Sequence, residues 1–86
     1  MSRGYVLTNL TLDSVVTINK KKKIFNMILV TKSGDLNNAL CFTNITAAKT
    51  IQEQIKKFDP NFPETKIINV AQLYNKVFQW NHLFLT

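Results

Sequence analysis

The sequence contains little cysteine, glycine or proline, and it has no long apolar run. Its one cysteine, Cys41, cannot close an internal disulfide, which excludes the disulfide-stapled class of small secreted domains. Glycine and proline occur at two positions each, so most of the chain is predicted to form regular structure. The longest apolar block is MILV, far short of the roughly 20 residues that a transmembrane helix needs. These absences predict a reduced, cytoplasmic protein that does not enter a membrane.

Residues that carry chemistry are also few. The chain has one histidine, His82, and five carboxylates, which fall singly in predicted turns, in a loop or on an outer helix face. Cys41 stands between apolar neighbours and is predicted to be a buried structural thiol. No nucleophile stands beside a base, no carboxylates pair, and there is no glycine-rich phosphate loop. The sequence therefore predicts a non-enzymatic protein with no cofactor and no metal site.

Several short segments show the alternation of apolar and polar residues that is typical of strands. Residues 5–12 alternate, and residues 15–18 resume the pattern after an interruption. Residues 24–31 give the strongest strand pattern, and because both of its faces are apolar it is predicted to lie centrally in a sheet. The Ser33-Gly34-Asp35 sequence predicts a turn, after which residues 39–42 would complete a hairpin. A further strand is predicted over residues 66–70.

One long helix is predicted after the first group of strands. Apolar residues recur there at three- and four-residue steps, at Ile45, Ala48, Ile51, Ile55 and Phe58. Thr43 has the chemistry of an N-cap, and Asp59-Pro60 would end the helix. Residues 71–86 fit a short helix or an extended tail. The sequence predicts a single α+β domain over residues 1–86, a small antiparallel sheet of three to four strands with the long helix packed on one face.

A cluster of positive charge suggests one possible function. Four consecutive lysines have no acidic residue within six positions on either side, and the net charge is +6. Such a cluster can neutralise phosphates, but it also suits a solvated turn that guards an edge strand. Exposed aromatic rings, expected of a single-strand binder, are not predicted, because Phe25, Phe42 and Phe58 fall on core faces. Nucleic-acid binding is the alternative function, through Arg3, Lys20, Lys21, Lys22, Lys23 and Lys32.

Aromatic residues near the C-terminus suggest the leading function. There are more of them than one small helix must bury, and tyrosine and tryptophan are favoured anchors at protein interfaces. The alternative is that they close the open end of the core. We predict a protein-binding surface that includes Tyr74, Phe78, Trp80 and Phe84. A homodimer that uses this segment or a strand edge is a third hypothesis.

The order of predicted elements resembles that of small uncharacterised phage and prophage accessory proteins. The likeness rests on residues 28–31, Ala39, Phe42-Thr43, Ala47-Ala48 and residues 66–70, about half of the chain. It implies a phage-type protein that modulates or inhibits a host or defence protein by binding it in the host cytoplasm. The likeness is one of architecture, so it assigns no functional residue.

Overall fold

The computed structural model describes residues 4–75, and it confirms the α+β class. Five strands, one long helix and one 3-10 helix are formed, and residues 70–75 are helical. The elements are β1 (Tyr5–Thr8), β2 (Ser14–Asn19), β3 (Ile24–Leu29), the 3-10 helix (Ser33–Asn38), β4 (Cys41–Phe42), α1 (Ile45–Phe58) and β5 (Lys66–Asn69). No helix among the described residues is long and apolar enough to cross a membrane.

All strand pairs are antiparallel, and β1 lies at the centre of the sheet. β5 pairs with β1 along its whole length, so β2 and β4 share the opposite edge of β1. β2 in turn pairs with β3 over six residue pairs. Two predictions are therefore wrong: β3 is an edge strand within the described sheet, and β4 pairs with β1 instead of forming a hairpin with β3.

Each face of the sheet supports its own apolar cluster. On one face, α1 packs Ala48 and Ile55 against Leu7 and Val16 of the sheet. On the other, the 3-10 helix and helical residues 70–75 cover a second cluster, formed by Val6, Val15, Val30, Leu36, Val70 and Leu73. β1 contributes to both clusters because neighbouring residues of a strand point to opposite faces. The central position of β1 thus follows from burial on both sides.

Local chemistry fixes both ends of α1. The prediction that Thr43 caps the helix is wrong by one residue, because the side chain of Asn44 accepts a 2.8 Å hydrogen bond from the Ala47 N–H. At the other end, the Asp59 N–H donates to the Ile55 carbonyl before Pro60 prevents continuation. The predicted stop at Asp59-Pro60 is confirmed.

The segment predicted as a hairpin turn folds as the 3-10 helix instead. Its conformation is held by Asp35, whose carboxylate accepts from the Thr31 N–H at 2.9 Å, the Thr31 hydroxyl at 3.0 Å and the Lys32 N–H at 3.3 Å. Gly34 needs no positive φ there. Cys41 follows in β4 and is exposed, so the prediction of a buried thiol is also wrong.

Candidate functional site

The lysine turn, Lys20–Lys23, connects β2 to β3 and is held in a defined conformation. The Lys23 N–H donates to the Asn19 carbonyl at 2.7 Å, and the Asn19 side-chain oxygen accepts from the Lys21 and Lys22 N–H groups at 3.1 and 3.2 Å. An asparagine that bonds its own turn in this way is a common device for fixing a tight connection. The lysine side chains therefore extend from a fixed backbone at the tip of a paired hairpin.

All four side chains of the lysine turn are exposed. None of them forms an ion pair with a carboxylate of the described residues, where the one ion pair joins Lys56 to Glu64. Unpaired ammonium groups on adjacent residues produce a concentrated positive potential that a flexible polyanion can approach. This turn is therefore an exposed patch of positive charge on a fixed backbone.

Lys23 has an unusual backbone conformation. Its φ of +54° lies in the left-handed region, which glycine and asparagine adopt readily and other residues adopt at a cost of roughly 1–2 kcal/mol. Leu12, in the connection between β1 and β2, has a similar φ of +62°, so strain alone does not single out Lys23. Lys23 is a candidate contact residue because it also lines the cleft described next.

The tip of the β2–β3 hairpin approaches the C-terminal end of α1, and a cleft of about 200 Å³ lies between them. Its floor consists of side chains that also belong to the cluster beneath α1, among them buried Ile55 and half-buried Phe25 and Phe62. Phe62 is held there because its N–H donates to the Asp59 carbonyl at 2.9 Å. We call this feature the hairpin cleft; it is lined by Lys23, Ile24, Phe25, Ile55, Phe58, Asp59 and Phe62.

Phe58 forms the exposed rim of the hairpin cleft. Its side chain is 79% exposed, and Ile24 across the cleft is 49% exposed. The prediction that Phe58 belongs to the core is therefore wrong. Phe58 continues the apolar stripe of α1, but it is the last residue of that helix, and no described residue buries it. Phe25 and Phe42, which were predicted alongside it, do pack against the cluster beneath α1.

The other predicted basic residues do not gather at the lysine turn. Lys32 follows β3 and so lies at its opposite end, about 20 Å away at the usual rise per residue of a strand. Arg3 lies outside the described residues. Sequence reasoning did not bring the last turn of α1, which ends at Phe58, to the lysine turn. Only the tertiary structure could show that this turn of α1 approaches the hairpin tip.

Only one residue of the predicted aromatic surface, Tyr74, lies within the described residues. Tyr74 is half-buried and packs against the cluster that the 3-10 helix covers. Phe78, Trp80, His82 and Phe84 lie outside the described residues. The role of this segment in partner binding stays a prediction.

Two other features bear on chemistry at the surface. Partial burial raises the pKa of the Cys41 thiol, which lowers the fraction of reactive thiolate at neutral pH. Among residues 4–75, no group of histidine, cysteine, aspartate or glutamate side chains is arranged to hold a metal ion. Neither feature adds a catalytic arrangement to the hairpin cleft.

Comparison with protein-family models, with curated proteins and with solved structures finds no match to this chain. The resemblance to phage accessory proteins therefore stays a prediction, and support for a function comes from the geometry of the chain itself.

Proposed function

We propose that this protein binds nucleic acid through the lysine turn and the adjoining hairpin cleft. The observation that carries the proposal is the meeting of two kinds of side chain at one place. The lysine turn offers unpaired positive charge, and Phe58, the most exposed of the large apolar side chains described, borders the same cleft as Lys23. Cationic grooves combined with aromatic rings are the usual means of binding nucleic acid without sequence readout.

The exposure of Phe58 supports the proposal where the sequence argued against it. An exposed aromatic platform is expected of a single-strand binder, and the sequence pattern assigned every nearby phenylalanine to the core. Phe58 is instead mostly exposed and borders the same cleft as Lys23. A turn that served only to keep the edge strand β3 soluble would need the charge, but it would not need a ring next to it.

The proposal is tested by removing the same amount of charge from two places. One variant replaces Lys20, Lys21 and Lys22 of the lysine turn by alanine, and the control replaces the exposed lysines Lys32, Lys49 and Lys66, which lie outside both the lysine turn and the hairpin cleft. Each variant lowers the net charge by three, so a general loss of positive charge affects both equally. Fluorescence anisotropy with labelled single-stranded DNA, duplex DNA and RNA would be measured over a range of salt concentrations.

We expect the turn variant to lose most of its affinity for single strands. Three lost phosphate contacts would make the slope of log K against log salt shallower by about 2, since each contact contributes about 0.7 for single strands. The control variant should keep more than half of the wild-type slope. Equal losses in both variants, or no binding by the wild type at physiological salt, would contradict the proposal.

Binding and modulation of a host or defence protein is the second candidate function. It is favoured by Tyr74, the one residue of the predicted aromatic surface that the structure describes, because its side chain is only half-buried and part of it stays open to a partner. Phe78, Trp80 and Phe84, the other residues predicted for this surface, lie outside the described residues. Failure of every nucleic-acid probe to bind would make this candidate the leading one.

A further inference from the structure

The hairpin cleft has a size and a lining that restrict which nucleic acid can use it. A volume of about 200 Å³ is smaller than the roughly 300–1,000 Å³ of pockets that enclose a whole drug-sized ligand. The space therefore suits one flat group. Its apolar floor of Phe25, Ile55 and Phe62 offers surface for a ring and leaves the charged atoms of a ligand outside.

Charge is placed at the border of the cleft and not on its floor. Lys23 lines the cleft on the side of the lysine turn. Asp59, also on the border, uses one carboxylate oxygen to accept from the Asn61 N–H at 3.2 Å. A ligand that fits this arrangement has a planar apolar part for the cleft and an anionic group on the side of the lysine turn, away from Asp59, and a nucleotide of a nucleic-acid strand has both.

We propose that the hairpin cleft holds an unpaired base, stacked on the Phe58 ring, while the lysine turn contacts the flanking phosphates. The inference rests on the proposed function and makes it more specific: the ligand is a single strand. In a duplex the bases are stacked on one another and their faces are covered, so Phe58 would have nothing to stack on.

A second copy of this chain is a poorer occupant of the cleft. Specific protein interfaces bury roughly 800 Å² on each partner, whereas this cleft admits one flat group. Two copies would also bring together surfaces of the same sign, because each chain carries a net charge of +6 and each has a lysine turn at this place. The charge complements a polyanion and opposes self-association.

The test compares ligands that differ only in their bases. Anisotropy would be measured with a labelled oligothymidylate, with an abasic oligonucleotide of the same length and with a duplex. The wild type should bind the oligothymidylate about 5- to 150-fold more tightly than the abasic strand, the range that stacking of one base on an aromatic side chain provides. Phe58→Ala should remove this preference and leave binding of the abasic strand unchanged.

Two further variants separate stacking from other effects. Phe58→Leu keeps an apolar side chain without a ring and should behave like Phe58→Ala, while Phe58→Tyr should keep the preference. Leu29→Ala is the matched control, because Leu29 is 60% exposed but lies at the end of β3 away from the lysine turn. Thermal melts confirm folding, which is expected to persist because Phe58 is mostly exposed.

The outcomes distinguish this inference from the function on which it rests. Equal wild-type affinity for abasic and base-containing strands, with binding still lost in the lysine variant, would overturn base stacking and leave nucleic-acid binding standing. Tighter wild-type binding to the duplex than to the oligothymidylate would likewise overturn base stacking and leave nucleic-acid binding standing. Binding of none of the three probes at physiological salt would overturn both and favour a protein partner.

Discussion

At the scale of single residues, Lys23 combines a strained backbone conformation with a place in the lining of the hairpin cleft. Replacing it by glycine should raise the free energy of unfolding by about 1 kcal/mol, since glycine adopts its φ of +54° without the steric cost. The same variant should bind oligothymidylate more weakly, because a charge at the cleft is lost. Urea denaturation and anisotropy on one sample would measure both effects.

Lys22→Gly is the matched control for that prediction. It removes the same charge from the same turn, but Lys22 does not have a positive φ. Glycine at this position should therefore lower stability through its greater entropy in the unfolded chain. If Lys22→Gly and Lys23→Gly change the free energy of unfolding in the same direction, the positive φ of Lys23 does not strain the fold and the prediction is wrong.

At the scale of elements, the first turn of α1 depends on one side chain. The Asn44 oxygen accepts from the Ala47 N–H, which would otherwise have no partner within the helix. Asn44→Ala should lower the free energy of unfolding by about 1 kcal/mol, as measured by urea denaturation. Thr43→Ala is the control and should change stability by no more than about 0.5 kcal/mol, because Thr43 is exposed and Asn44 provides the cap. A larger loss at Thr43 than at Asn44 would contradict the observed cap.

At the scale of the whole molecule, two carboxylates make stability depend on pH. The side-chain hydrogen bond from Asn9 lowers the pKa of Asp13, and the backbone N–H of Thr31 is the main cause of the lowered pKa of Asp35. The Asp13 carboxylate accepts from the Asn9 side-chain amide in the connection between β1 and β2, and the Asp35 carboxylate accepts from the Thr31 N–H at the start of the 3-10 helix. Both connections are therefore stronger when the carboxylates are ionised.

The sign of the pH effect follows from the direction of these shifts. A carboxylate with a pKa below 3.8 in the folded state contributes its stability fully above that value and loses it as the pH falls through the folded-state pKa. The wild-type melting temperature should therefore fall below about pH 4. Asp35→Asn should melt lower than wild type at pH 7, and the difference should shrink toward pH 2. A constant difference across this range would contradict the role of Asp35.

The sequence by itself determined the features that depend on short-range patterns. The periodicity of residues 45–58 gave α1 its length, and Asp59-Pro60 gave its end, because proline excludes the next helical hydrogen bond. Alternating residues located the strands, although β1 stops at Thr8 and β4 has only two residues. Four adjacent lysines identified the positive patch, since ammonium groups are costly to bury and remain in water.

Only the tertiary structure decided which segments meet. The apolar pattern of β3 suggested a central strand, yet the chain uses β1 at the centre: β1 pairs with β2, β4 and β5, whereas β3 pairs with β2 alone among the described strands. The periodicity of α1 places Phe58 on the apolar face of the helix. Whether the Phe58 ring is buried depends on which residues lie opposite the last turn. There the structure has the hairpin tip, so that the Phe58 ring and Lys23 line one cleft. Local pattern sets the direction of a side chain, and long-range packing decides whether that direction leads to a core or to a binding surface.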